Sequence, residues 1–380
     1  MSTLAAFPEH DPVGPDGDDR LDVTTLTHLL VPLAADADRR GVQRESMDRL
    51  AAAGFLGGPL SPVGRQRELG ELIAGIDATT WFCWVQHYSP LRTLEQARPG
   101  PSTPHADVLR ERLLPGLRSG TLLSAVAFAH VRRPGPANPT ATRVDGGWRL
   151  DGTLDWVTSW DIADLVMVVA QGAGADEGSL VSMFLPAGRS GERVAGLEMD
   201  LPLALLAMSG THTRPIRLAG AFVPEDAVID VADRQEWLAR DAVTSANASP
   251  SAFGVARGAI AELDAVAAQR SDARMSALAR ALAEECQVIR RAAYAATDDP
   301  EAAMDSRLEL RAAALDLVVR ATTAVVIARA GAAMRSGFEA ERRVREAMFL
   351  QVQAQTGATR AASMDVQLAA TRQAAARFRP

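Results

Sequence analysis

The spacing of apolar residues along the chain changes twice and divides it into three regions. From about residue 21 to 120, apolar residues recur every three or four positions, which predicts helices. Over 121–235, short apolar runs alternate with Gly, Pro and Asp, as in the strands of an antiparallel barrel or sandwich. Helical spacing returns over 236–380 and predicts a bundle. We therefore predict an α+β protein with an N-terminal helical domain, a central antiparallel β domain and a C-terminal helical bundle.

The same patterns predict the individual elements. The predicted strands cover 122–128, 148–150, 165–169, 182–185 and 214–218. The predicted helices include 67–84, 106–117, 250–269, 275–296, 299–334 and 340–353, and a last helix follows Gly357. Asp299, Pro300 and Glu301 predict the start of the helix over 299–334, because a capping carboxylate, proline and an acidic residue suit a first turn.

Composition narrows the classes of function. The chain has 380 residues, of which 47% are hydrophobic, enough for a large core and two or three domains. A net charge of −7 argues against nucleic acid as a partner. All 40 basic residues are arginine, which excludes lysine Schiff bases and lysine–cofactor bonds. Cys83 and Cys286 lie far apart, so neither a disulfide framework nor a metal site is predicted.

The termini and the apolar stretches indicate a cytoplasmic protein that makes no use of a membrane. Residues 1–20 are acidic and rich in Pro and Gly, which predicts a mobile tail and not a signal peptide. The most apolar long stretch, 315–334, contains Arg320 and Arg329, which a bilayer span would accommodate only at high cost.

A short segment of the β region has the residues to contact a flat ring. Gly146-Gly147 and Asp151-Gly152 are turn signals, and Trp156-Val157-Thr158-Ser159 follows them. Residues two apart on a strand lie on the same face. We therefore expect the Trp156 indole to stack on a ring while the Thr158 hydroxyl bonds to its edge, although a core Trp and a cross-strand Thr are the simpler alternative.

This segment resembles the flavin-contacting strand of the acyl-CoA dehydrogenase superfamily, usually written G-x-K-x-W-I-T/S. The order of helices, β domain and bundle is similar to that superfamily over nearly the whole chain. The resemblance implies FAD or FMN as cofactor and assembly through the bundle into a homodimer or homotetramer. A flavin reductase or an electron-transfer flavoprotein is the implied partner.

Two further segments are similar to the superfamily. MSGTHTRPIRLAGAFVP, 208–224, resembles its G-x-R-x-S-x-T strand, which implies that Thr211 and Thr213 contact the cofactor; local backbone contacts are the equal alternative. ATTWFCWVQHYSP, 78–90, resembles the segment that approaches the flavin in the monooxygenase branch. There His87 would serve in acid–base steps or stabilise a flavin–oxygen adduct, whereas a lone helical histidine is more often packed.

At two other places, around His130 and at Arg270, the chain can be aligned with the superfamily, and around His130 it differs from the usual residues. His130 stands where the superfamily usually has Thr-Glu for the flavin ring. Arg132 and Arg133 are candidates to replace a lost phosphate contact, and solvated loop residues are the default alternative. Arg270 ends a bundle helix where many relatives carry an arginine that reaches the flavin pyrophosphate of a neighbouring subunit. A helix-end arginine that interacts favourably with the helix dipole is the alternative.

The carboxylate base of an acyl-CoA dehydrogenase has no counterpart at either of its usual positions. The Y-E-G-T segment corresponds to 353–359, which holds no acid, and the alternative position, 245–249, holds none either. Amide, hydroxyl and methyl groups cannot act as a general base near neutral pH. Glu346 lies well before the usual position, and we expect it to form a structural ion pair in its charge cluster with Arg343 and Arg345.

Three functions remain open from the sequence. The first is an atypical flavin-dependent oxidoreductase, of monooxygenase type or specialised for a secondary-metabolite or carrier-bound substrate. The second is an acyl-CoA dehydrogenase with a relocated base, acting on an acyl-thioester. The third is a flavin-free member of the fold that acts as a cofactor-independent enzyme or as a binding subunit.

Overall fold

The computed structural model describes residues 23–56, 63–133 and 139–377; the tail predicted over 1–20 lies outside them. The helices are α1 (Val23–Arg40), α2 (Arg44–Ala52), α3 (Val63–Ile76), α4 (Ala78–Gln96), α5 (Ala106–Ser119), α6 (Arg234–Ala246), α7 (Pro250–Arg270), α8 (Ala273–Asp298), α9 (Met304–Arg329), α10 (Glu339–Leu350) and α11 (Gly357–Ala376). The strands are β1 (Ser124–Ala127), β2 (Thr140–Val144), β3 (Gly147–Val157), β4 (Leu165–Gly172), β5 (Ser179–Pro186), β6 (Leu197–Met199), β7 (Arg214–Pro224) and β8 (Val228–Asp233).

The described residues form two units. The helical unit comprises 23–35, 63–78 and 241–377, and the β unit comprises 36–56, 79–133 and 139–240. The helical domain predicted over 21–120 is thus divided between them, with α3 in the helical unit and α5 in the β unit.

In the helical unit, α7 lies at the centre and packs against α3, α8, α9 and α10. Its small residues are buried on nearly every side, so no polar stripe marks the helix. Gly254 permits the close approach of α3, because a Cβ atom there would overlap the backbone oxygen of Glu71. The predicted bundle is confirmed.

In the β unit, the strands form a sheet of order β6-β7-β3-β2-β4-β5-β8, and β1 pairs with β4. The prediction of a purely antiparallel sheet needs correction, because β4 pairs in parallel with both β1 and β2. One face carries the core around Trp148 and Val168. The other face is covered by α4 and α5 through residues such as Leu91 and Leu117.

Two predicted helix boundaries are wrong. The helix predicted over 67–84 is broken between α3 and α4 at Asp77, whose buried carboxylate lies 3.7 Å from Arg342. The helix predicted from Asp299 begins instead at Met304. Asp299 does cap a turn, since its Oδ1 accepts from the Glu301 backbone at 2.9 Å, but this turn precedes the helix, to which Arg307 Nη2 ties it by donating to the Asp299 backbone oxygen at 2.5 Å.

Candidate functional site

The predicted ring-contacting segment lies at the end of β3 in the β unit. The β3–β7 pairing shifts register between Leu154 and Val157, and the strand ends at Val157. A bulge of this kind interrupts the alternation of side chains. As a result Trp156 and Thr158 differ in environment: the indole is 46% exposed, whereas Thr158 is 3% exposed. Thr158 lies one residue beyond the end of β3, so the alternation of the strand does not fix its face relative to Trp156, and stacking of the exposed indole on a ring stays a prediction.

Three threonines predicted to contact the cofactor come together in the structure. Thr158 Oγ1 lies 2.9 Å from Thr213 Oγ1, which lies 2.8 Å from Thr211 Oγ1. Thr211 Oγ1 in turn donates to the Met208 carbonyl oxygen at 2.7 Å. These buried hydroxyls form one continuous hydrogen-bonded chain, which we call the threonine chain: Thr158, Thr213 and Thr211.

The backbone around the threonine chain is held in an unusual conformation. Ser159, Met208 and His212 have φ values of 65°, 62° and 50°, in the left-handed region that non-glycine residues rarely adopt. The Ser159 backbone N–H donates to the Thr211 carbonyl oxygen at 3.1 Å and joins the two segments. Such conformations cluster at binding and active sites, where the surrounding structure maintains them.

Ser159 is a further polar residue of this site that sequence reasoning did not single out. Its Oγ is buried and has no hydrogen-bond partner among the described residues. An unsatisfied buried hydroxyl is uncommon and indicates either strain or a missing ligand. The only sequence signal was its place directly after Thr158.

His87 lies outside the threonine chain, in α4. Its ring is 1% exposed; Nε2 lies 2.9 Å from the Leu117 carbonyl oxygen, and the Ser124 backbone N–H donates to Nδ1 at 3.2 Å. A carbonyl oxygen only accepts, so Nε2 carries the hydrogen of a neutral imidazole. Burial lowers the pKa of His87 to about 4. Both ring nitrogens are thus occupied by backbone, and these contacts support packing of the ring.

His130 lies in a short 3-10 turn, and its Nε2 is 2.6 Å from the Val169 carbonyl oxygen of β4. Burial lowers the pKa of His130. Arg133 forms an ion pair with Asp155, the neighbour of Trp156, and Arg132 lies over the Phe128 ring. The segment that follows, 134–138, lies outside the described residues.

Arg270 belongs to the helical unit, where it is the last residue of α7 and is exposed. Ser271 ends the helix in the left-handed conformation, with φ of 53°. Contact between Arg270 and a flavin pyrophosphate stays a prediction.

The two segments expected to carry a base are joined by an arginine that the sequence did not single out. Arg311 of α9 donates to the Asn247 carbonyl oxygen at 3.2 Å and to the Gln353 carbonyl oxygen at 2.7 Å. Asn247 lies in the 245–249 segment and Gln353 in the 353–359 segment, so this guanidinium ties both together. Ala354, in the second segment, has a left-handed φ of 51°.

Glu346 forms the predicted ion pair, although its partner is Arg342 and not the expected Arg343 or Arg345. Arg342 Nη1 lies 2.6 Å from Glu346 Oε1, and the Ala78 backbone N–H donates to the same oxygen at 3.3 Å. The side chain is fully buried, and burial raises the pKa of Glu346 to about 7. This carboxyl group is therefore a buried structural partner of the α3–α4 junction.

Within 23–56, 63–133 and 139–377, no group of three His, Cys, Asp or Glu side chains is placed to hold a metal ion. In the same ranges, no helix is both long and apolar enough to span a bilayer.

No family model and no curated protein matches the sequence. Solved structures do match the fold. Glutaryl-coenzyme A dehydrogenase in complex with glutaryl-CoA superposes with a TM-score of 0.74 at 15% identity, over 91% of this chain and 93% of that one. Dibenzothiophene monooxygenase from Paenibacillus sp. A11-2 gives 0.69 at 18% identity, over 89% and 94%. KijD3 in complex with FMN and a dTDP-amino sugar gives 0.70 at 20% identity, over 91% and 92%. The chain has the acyl-CoA dehydrogenase fold.

Proposed function

We propose that this protein is a flavin-dependent oxidoreductase of monooxygenase type that acts on a specialised small-molecule or carrier-bound substrate. The observation that carries the proposal is the pairing of an exposed indole, Trp156, with the buried threonine chain on the strand that resembles the flavin-contacting strand. The same fold is found in a dibenzothiophene monooxygenase and in a protein solved with FMN.

The residues present suit a flavin ring. Trp156 supplies an open aromatic face, Thr158 supplies an oxygen for the ring edge, and the unsatisfied Ser159 hydroxyl has capacity for a further bond. Arg270 is the proposed contact to the pyrophosphate of FAD in a second copy. A bound flavin supplies the electron-transfer chemistry that no side chain of this protein provides.

Simple α,β-dehydrogenation is the less favoured alternative, because it requires a carboxylate to take a proton. Neither 245–249 nor 353–359 contains one, and Glu346 is held inside the helical unit by Arg342. An oxygen-dependent reaction needs no such base but consumes reduced flavin. A flavin reductase is therefore the proposed partner, with an electron-transfer flavoprotein as the alternative.

Assembly through the bundle is proposed on the apolar surface of the helical unit. A groove of about 290 Å³ on α7, α8 and α9 is lined by residues that include Leu263, Met275, Leu278 and Ile327. Leu278 and Ile327 are exposed, as is Val288 of α8. Such an apolar patch is typical of an interface. We expect a dimer or tetramer by light scattering, and a monomer at micromolar concentration would contradict this.

The visible absorption spectrum of the purified protein tests the proposal. We expect the spectrum of a bound flavin after addition of FAD or FMN, oxidised or reduced, and oxygen consumption once the reduced form is bound. Anaerobic bleaching of the flavin by an acyl-thioester would instead favour a dehydrogenase. A protein that binds neither flavin in either state would be a flavin-free member of the fold.

A further inference from the structure

The threonine chain has a direction, because each hydroxyl carries a single hydrogen. The Met208 carbonyl oxygen can only accept, so Thr211 donates its hydrogen to it over 2.7 Å. Thr211 then has no hydrogen left for Thr213, and Thr213 must donate to Thr211 over 2.8 Å. By the same argument Thr158 donates to Thr213 over 2.9 Å.

One arrangement of hydrogens therefore satisfies every contact, and it runs from Thr158 through Thr213 and Thr211 to the Met208 carbonyl. All three threonines are at least 97% buried, so water does not readily replace these bonds. Thr158 has used its only hydrogen within the protein. Its Oγ1 keeps a lone pair that can accept a hydrogen bond.

We infer that Thr158 accepts a hydrogen bond from a ring N–H of the ligand and donates none, and that Thr211 and Thr213 are the positioning residues that impose this polarity. The inference rests on the proposed flavin function. A flavin offers two such groups: N3–H is present in both redox states, whereas N5 carries a hydrogen only when the ring is reduced. A contact at N5 would make the site selective for reduced flavin, the form that a reductase delivers.

Anaerobic dissociation constants test the polarity. We would titrate the wild-type protein with oxidised FMN, reduced FMN and N3-methyl FMN. An N5–H contact predicts about tenfold tighter binding of reduced than of oxidised FMN, because the oxidised ring would present a lone pair to a lone pair. An N3–H contact predicts instead about tenfold weaker binding of the N3-methyl analogue and no redox preference.

Thr211→Val removes the anchor of the chain, so Thr213 can turn its hydrogen towards Thr158 and Thr158 can donate. The ratio of dissociation constants that expresses the wild-type preference, for reduced over oxidised FMN or for FMN over its N3-methyl analogue, should then fall towards one. Thr211→Ser keeps a hydroxyl and should restore the preference. Thr140→Val makes the same chemical change on β2, where Thr140 donates to the Asp151 carbonyl oxygen at 3.3 Å, and should leave the preference unchanged. If Thr211→Val does not fold, Thr213→Val severs the chain one bond nearer to Thr158, with the same expectation.

Equal binding of all three flavins by the wild type would overturn the inference, as would a preference that survives in Thr211→Val or Thr213→Val. Either result leaves the proposed flavin function in place, since the protein still binds flavin. A protein that binds no flavin at all removes the proposed function, and this inference with it.

Discussion

Two buried polar clusters, one in the β unit and one in the helical unit, differ in charge and in how completely their hydrogen bonds are used. In the β unit, the threonine chain is neutral, ends beside an exposed indole and keeps an unused acceptor at Thr158. In the helical unit, the cluster around Glu71 is charged: the carboxylate accepts from Arg257 at 2.5 Å, from Arg290 at 2.6 Å and from Tyr294 at 2.5 Å. A buried charge without a partner costs much free energy, whereas an unused acceptor on a neutral hydroxyl costs far less and stays available to a ligand. The difference assigns stability to one cluster and binding to the other.

The largest expected effect comes from removing the charge at the centre of the Glu71 cluster. Glu71→Gln removes the buried carboxylate that pairs with Arg257 and Arg290 and should lower the free energy of unfolding by about 3–5 kcal/mol. Denaturant unfolding measures it. Glu285→Gln is the matched control, because the pair of Glu285 with Arg320 is exposed and should contribute less than about 1 kcal/mol. Similar losses in both variants would contradict the assignment of stability to the Glu71 cluster.

Next in size is the dependence of stability on pH, to which the two units contribute with opposite signs. The pKa of His87 is lowered from 6.5 to about 4, so its contribution is complete above pH 6.5 and is lost as pH falls through 4. The pKa of Glu346 is raised from 4.5 to about 7, so its contribution is complete below pH 4.5 and is lost as pH rises through 7. Each amounts to about 3 kcal/mol, and the two slopes oppose each other between pH 4.5 and 6.5.

His87→Gln should remove one of these slopes and expose the other. We expect the free energy of unfolding of this variant to fall as pH rises from 5 to 7, while the wild type changes little over the same range. Urea unfolding at pH 5, 6 and 7 measures both, and His105→Gln, at an exposed position, serves as control. Parallel pH profiles for the wild type and His87→Gln would show that His87 is not the titrating group.

The smallest expected effect concerns Trp156, the exposed indole beside the threonine chain. Trp156→Ala removes the aromatic face and should weaken flavin binding by about tenfold without lowering stability, because the indole is already half in solvent. Fluorescence titration measures it, with Phe222→Ala as control, since Phe222 is another exposed aromatic of the same sheet. If the two variants bind flavin equally, Trp156 is not the stacking residue.

Much of the fold followed from local patterns. The helices around 106–117, 250–269 and 275–296 and the strands at 122–128 and 165–169 were predicted within a few residues, because one buried face imposes a regular period. Trp156 and the threonines were found through a resemblance between short segments. The break at Asp77 was not predicted, since its buried carboxylate lies near Arg342, which is far away along the chain. The late start of α9 was not predicted either, because the cap at Asp299 belongs to a separate turn.

The sequence by itself determined the order of helices and strands, the absence of lysine chemistry and the lack of an acid at both expected base positions. Only the tertiary structure decided the direction of the threonine chain, the burial of His87 and the pairing of Glu346 with Arg342. The physical reason is that periodicity reports which face of an element is buried, whereas the state of a polar group depends on its neighbours in space. Thr158 and Thr213 are separated by 55 positions along the chain, and their hydroxyls meet only because β3 and β7 pair.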